Sequence, residues 1–224
     1  MLTSTVFKQI GGFGAATLLA ATAAASDAFF VPLSEITSYD KSQFSQQVTE
    51  CDVLAGHPDD PMGVTDGVTR EQMDKPAAIK ACQLAVKADP DNPRLNYQLA
   101  RAYGYSNLHA KATPYREKAL KSGYPQSLFV MGYIRTTGWD GQPADACYGG
   151  ELIRRSAQTG RYAGNVYYPR YALQGLLNEC ADDQKPNWEE VAGMLDKAKT
   201  DAEGVYQDML ADVLKEQFER QRGE

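Results

Sequence analysis

The stretch that decides the fold runs from residue 76 to 103, PAAIKACQLAVKADPDNPRLNYQLARAY. Pro76 suits the first turn of a helix, where its missing N–H costs nothing. Ala78, Cys82 and Ala85 then fall at helical spacing, and the small alanines let a neighbouring helix approach closely. Asp89-Pro90-Asp91-Asn92-Pro93 stops one helix and starts the next, because the residue before a proline is driven out of the α region. Leu99 and Tyr103 follow as i,i+4 neighbours on one buried face. The stretch therefore reads as two helices joined by a tight turn.

Working outward, small residues before a turn recur at Ala85, Ala119, Ala157 and Ala198, at intervals of roughly 34 to 41 residues. Ala119-Leu120-Lys121-Ser122-Gly123 and Ser156-Ala157-Gln158-Thr159-Gly160 each end in a glycine suited to a helix stop. Upstream, Phe44, Val48, Cys51 and Leu54 predict a helix from about Ser42 to Ala55, and Thr69 with Gln72 forms a capping-box pattern that starts a helical turn. Downstream, Asn187 with Glu190 opens a helix over Trp188 to Lys199. Val205, Met209, Val213, Leu214 and Phe218 mark the inner face of a last helix whose polar back closes the array. No strand-like alternation is present. The expected fold class is all-α, an array of helical hairpins ending in a capping helix.

Residues 1–25 read as a cleaved signal peptide, with Lys8 followed by a short apolar run from Ile10 to Ala24 and small residues at the cleavage point. The run is short and rich in Gly, Ala and Thr, so a cleaved leader fits better than a membrane span. Residues 26–45 are expected as a linker and 46–222 as the helical domain, with no membrane span after cleavage and a periplasmic or secreted location. All four cysteines, Cys51, Cys82, Cys147 and Cys180, lie beyond the leader. An even number in an exported chain points to disulfides, and the wide spacing without C-x-x-C argues against zinc-ribbon and redox sites.

The formal net charge of −6 and the absence of a basic cluster exclude an electrostatic nucleic-acid binder. Catalytic signals are thin. His57 and His109 sit in turn-like contexts, and Asp59 and Asp60 beside His57 lack the further ligands a metal needs. Asp89 to Asn92 lacks the glycine and distal glutamate of a calcium loop. Ser38-Tyr39-Asp40-Lys41 matches S-x-x-K, but Ser-Asp-Asn and Lys-Thr-Gly partners are missing. The expectation is therefore no catalytic set, no metal and no cofactor. Tyrosine stands out instead, eleven of thirteen lying between Tyr97 and Tyr171. Most should pack between helices; with arginines they also supply binding hot spots.

These residues resemble known families. Ala78, Cys82, Ala85 and Pro90, followed by Leu99, Ala100 and Tyr103, resemble the tetratricopeptide consensus. Met131-Gly132-Tyr133 with Gly138, then Ala146 to Gly160, is similar to the longer Sel-like repeat. Cys51 through His57-Pro58, with Ala81-Cys82 and Gln98 to Ala102, resembles the start of bacterial exported Sel-like repeat proteins. The resemblance spans roughly residues 46 to 200. Pro114 and Pro169 depart from it; the first implies a helix starting near Thr113, the second a late start or a kink. The resemblance implies an α-solenoid scaffold for a protein or peptide partner. Its concave face would carry Arg94, Tyr97, Gln98 and Arg101 in one repeat and Phe129, Tyr133 and Thr136 in the next. Charge reversal at Arg101 would then weaken an acidic partner and leave folding intact. A ligand- or cell-wall-binding accessory protein, or an enzyme of another type, is the alternative. Because repeats contact mainly their neighbours, the pairing expected is Cys51–Cys82 and Cys147–Cys180, against the alternative of four buried thiols.

Overall fold

The computed structural model describes residues 30–139 and 143–223, so the signal-peptide reading lies outside the described residues. Among the described residues all regular structure is helical, without a strand. Its helices are α1 (Glu50–Ala55), α2 (Lys75–Ala88), α3 (Pro93–Tyr105), α4 (His109–Lys121), α5 (Pro125–Thr137), α6 (Ala146–Gln158), α7 (Tyr162–Leu173), α8 (Trp188–Thr200) and α9 (Val205–Arg222). Among the described residues no helix is long and apolar enough to cross a membrane.

The starts are chemically marked. Asp74 accepts from Ala77 N ahead of α2, Asn92 from Arg94 N ahead of α3, and Asp145 from Tyr148 N ahead of α6. Asn187 accepts from both Glu189 N and Glu190 N ahead of α8. Each such cap stabilises its helix by about 1 kcal/mol. Each helix packs on the next in sequence, and Ala85, Ala119, Ala157 and Ala198 all fall in the last turn of α2, α4, α6 and α8. Apolar side chains gather in successive clusters, one around Cys51, Cys82, Leu95 and Leu99, one around Leu120, Met131 and Leu152, one around Ile153, Leu177 and Leu195. Cys51 and Cys82 are bonded with Cα atoms 4.5 Å apart, and Cys147 and Cys180 with Cα atoms 5.4 Å apart.

Two glycines let α5 and α6 meet backbone to backbone. A Cβ on Gly132 would stand 2.6 Å from Ile153 Cγ1 and 2.8 Å from the Gly149 carbonyl oxygen; one on Gly149 would stand 2.6 Å from Thr136 N. Gly132→Ala should therefore destabilise the fold by about 1–3 kcal/mol through overpacking, despite alanine's better helix propensity. Urea unfolding measures this, and an unchanged midpoint would show that the contact can relax.

Four expectations are corrected. The helix expected from Ser42 begins only at Glu50, after a 3₁₀ turn at Lys41–Gln43. Thr49 and Asp52 form a capping box that fixes the start, and the Ser45 and Gln47 carbonyls upstream are taken by Arg94 of α3, which donates to both, and by the capping residue Asn92, which donates to Ser45. Pro114 lies inside α4, which starts at His109 rather than near Thr113, and Pro169 lies inside α7, so of the late start or kink expected there the late start is ruled out. Pro114 follows the first turn, and the core positions of Tyr168 and Tyr171 hold α7 around Pro169. The stretch expected as a linker lies against the body: Tyr148 Oη donates to the Val31 carbonyl at 2.7 Å, Arg155 Nη1 to Leu33 O at 2.9 Å and Thr37 N to Lys121 O at 2.8 Å. Last, α9 buries Ala211, Leu214 and Phe218, while Val205, Tyr206, Met209, Leu210 and Val213 face outward, Tyr206 at 84% exposure. The expected polar back is there, with Asp208, Asp212, Glu216 and Glu219 exposed, but it shares the surface with these apolar side chains, and Val205, Met209 and Val213 lie outside rather than on the inner face expected.

Candidate functional site

A cavity of about 220 Å³ opens between α3 and α5, closed at one side by the loop joining α1 to α2. From α3 come Tyr97, Arg101 and Tyr105, four residues apart and so on one face. From α5 come Phe129 and Tyr133 by the same spacing, and Trp139 stands at the rim, 53% exposed, just after the left-handed Gly138 that ends the helix. His57 and Arg70 enter from the loop. The Arg70 and Arg101 guanidiniums lie 5.1 and 5.0 Å from the centroid of the Tyr105 ring, and Arg161 lies 5.2 Å from that of Phe129.

Of the seven residues expected on a concave face, Tyr97, Arg101, Phe129 and Tyr133 come together here. The other three do not. Arg94 is buried, its Nε 3.2 Å from Asp52 Oδ1, and Gln98 Nε2 donates to the same Asp52 oxygen at 2.8 Å. Thr136 Oγ1 turns to the Gly132 carbonyl and the Tyr171 hydroxyl. Arg101 is only 7% exposed; its Nη1 donates to Ala55 O and Gly56 O, and its Nη2 to Val68 O. The expectation that charge reversal there leaves folding intact is therefore overturned. Arg101→Glu sets a carboxylate against three carbonyls and should abolish cooperative unfolding, which far-UV circular dichroism reads directly.

A polar chain supports the floor. Gln126 Nε2 donates to Tyr97 Oη at 3.3 Å, Arg161 donates to Gln126 Oε1, and Arg161 Nη2 lies 3.5 Å from Asp59 Oδ2. Beside it Tyr124 Oη donates to Asp60 Oδ2 at 2.7 Å. Burial holds the Asp60 carboxyl up at about 6, against the hydrogen bonds from Tyr124 and Met62 N that favour its charge. Burial first, then Arg101 and Arg161, lowers the His57 imidazole to about 4, so it is neutral at pH 7. Its Nδ1 accepts from Asp59 N at 3.1 Å. Among the described residues no group of three or more His, Cys, Asp or Glu is placed to hold a metal. Ser38 precedes the turn that holds Lys41, so the S-x-x-K match does not share a helix.

The Asp60 shift has a sign that can be tested. A carboxyl whose folded pKa is raised is tolerated when protonated and costs stability when charged, so its contribution is lost as pH rises through about 6. Asp60→Asn keeps an acceptor for Tyr124 and removes the charge. It should be more stable than the parent above pH 7 by on the order of 1–3 kcal/mol, the gap closing toward about pH 4. Urea midpoints across that range check it; a gap independent of pH would refute the assignment.

Sequence reading missed Asp52, Arg70, Tyr105 and Trp139, and it weighed Asp60 only as a metal ligand. Thr49-x-x-Asp52 was the available signal for the first. The pairing of Asp60 with Tyr124 joins residues 64 apart and left none. Compared with protein-family models, curated proteins and solved structures, the chain matches none.

Proposed function

We propose that this chain is an exported helical-hairpin repeat protein of the tetratricopeptide and Sel-like kind, acting in the periplasm or outside the cell as a binding scaffold for a protein partner. The observation that carries the reading is the α3–α5 cavity, walled by Tyr97, Tyr105, Phe129, Tyr133 and Trp139. Aromatic side chains lining a recess beside a guanidinium, with Tyr133 and Trp139 exposed at its rim, are the make-up of a protein-binding hot spot. The recurrence of a small residue in the last turn of α2, α4, α6 and α8 supports the repeat reading. The two bonded cysteine pairs support an oxidising compartment.

The test is photo-crosslinking in producing cells, with benzoylphenylalanine at position 133 on the rim, or at position 84, exposed on α2 away from the cavity. The reading expects a discrete adduct with another polypeptide from position 133 and none from 84. No adduct from 133, or the same adduct from both, would overturn it.

A further inference from the structure

We propose that the α3–α5 cavity takes an aromatic side chain with a carboxylate next to it, so that the partner presents a short acidic-aromatic peptide segment. The inference rests on the reading of the chain as a binding scaffold and adds the partner's chemistry.

Size and wall point to the ring. A cavity of about 150 Å³ lined by apolar side chains accepts benzene, so about 220 Å³ seats one aromatic side chain with little to spare. Tyr133 and Phe129 on one side and Tyr105 on the other offer edge and face contacts to such a ring.

Charge points to the carboxylate. Four arginines are buried among the described residues: Arg94, Arg101, Arg135 and Arg161. Three have an acidic partner, namely Asp52, Asp145 and Asp59. Arg101 has none. Three main-chain carbonyls satisfy its Nη atoms, while Nε is buried without a hydrogen bond. A buried cation held only by dipoles leaves a net positive potential in the recess. Arg70 adds a second guanidinium on the same Tyr105 ring, itself exposed and without an ion pair among the described residues. Arg116 and His109 also line the cavity, each with interactions of its own. No aspartate or glutamate is among the described lining residues, in a chain whose net charge is −6. Glu71 feels both guanidiniums but is fully exposed beside the site. The basicity of His57 is depressed first by burial and then by Arg101 and Arg161, so the guanidiniums add to the shift without being its main cause.

The probe is a random dodecapeptide library displayed on phage, selected on the full chain with its disulfides intact. Enriched sequences should pair Phe, Tyr or Trp with Asp or Glu within two positions. The best peptide, synthesised, should lose about tenfold or more in affinity when its acid becomes the amide. It should lose about threefold to tenfold against Arg70→Gln, a surface change that spares the fold. The His57 ring signals should titrate at higher pH with the peptide bound, since a bound carboxylate favours the imidazolium. Enriched peptides that need Tyr133 yet ignore both the acid and Arg70 would overturn this inference and leave the scaffold reading standing. A selection with no Tyr133-dependent peptide would also overturn it, and the crosslink at position 133 then judges the scaffold reading separately.

Discussion

Arg94→Ala should destabilise the fold by about 3–5 kcal/mol, a large share of the roughly 5–15 kcal/mol that holds a domain together. Both partners are buried, Asp52 completely. The Asp52 carboxylate accepts from Thr49 N and Oγ1, each at 2.8 Å, and from Gln98, with Arg94 as its countercharge. Arg94 also holds the extended segment before α1 through Ser45 O and Gln47 O. Its removal strands a buried anion and frees the Gln47 carbonyl, while Ser45 O keeps the hydrogen bond from Asn92. Urea unfolding measures the loss. A double variant, Arg94→Met with Asp52→Asn, should recover much of it, because the cost lies in the unpaired charge rather than in the absence of the pair. A single-variant loss under about 1 kcal/mol would mean that the site relaxes or admits water.

Removing one disulfide should cost about 3–4 kcal/mol, less any strain, by chain entropy for loops of 31 and 33 residues. Cys51–Cys82 staples the N-terminal cluster and Cys147–Cys180 the C-terminal one. With no shared contacts, the two losses should add within about 0.5 kcal/mol. Melting of Cys51→Ala/Cys82→Ala, of Cys147→Ala/Cys180→Ala and of the quadruple variant checks this. Non-reducing peptide mapping of the protein purified without reductant should find 51–82 and 147–180. Free thiols at all four positions, or a 51–180 link, would contradict the arrangement.

The elements most legible in the sequence were those whose signals are local. Pro76, the Asp89 to Pro93 turn, and Asn187 with Glu190 mark the first turns within a few residues, so those helix starts could be read directly; the caps Asp74 and Asn92 sit beside these signals. Spacing failed where long-range partners compete for the backbone. Phe44 and Val48 keep helical spacing with Cys51, yet Arg94 claims the carbonyls that a helix there would need. It failed again in α9, where apolar residues spread over more than half of the circumference beside the polar arc of Asp208, Asp212, Lys215 and Glu219. Val205, Met209 and Val213 form one stripe and Ala211, Leu214 and Phe218 another, and only packing against α8 and α7 decides which is inside. Of the expected concave face, Tyr97, Arg101, Phe129 and Tyr133 reached a common cavity. Arg94 sits three residues before Tyr97, and its face meets Asp52 in α1 instead. A capping aspartate that is also a buried counterion is invisible until the helices are placed.

The measurement that bears most directly on the account is the fluorescence of Trp139. The chain has two tryptophans, and Trp188→Phe leaves the one at the cavity rim as sole reporter. Adding the partner crosslinked at position 133, or the selected acidic-aromatic peptide, should shift its emission to the blue and shield it from acrylamide, saturating with the binding isotherm. Binding of normal affinity that leaves Trp139 as quenchable as in the free chain would contradict the claim that the α3–α5 cavity is where this protein holds its partner.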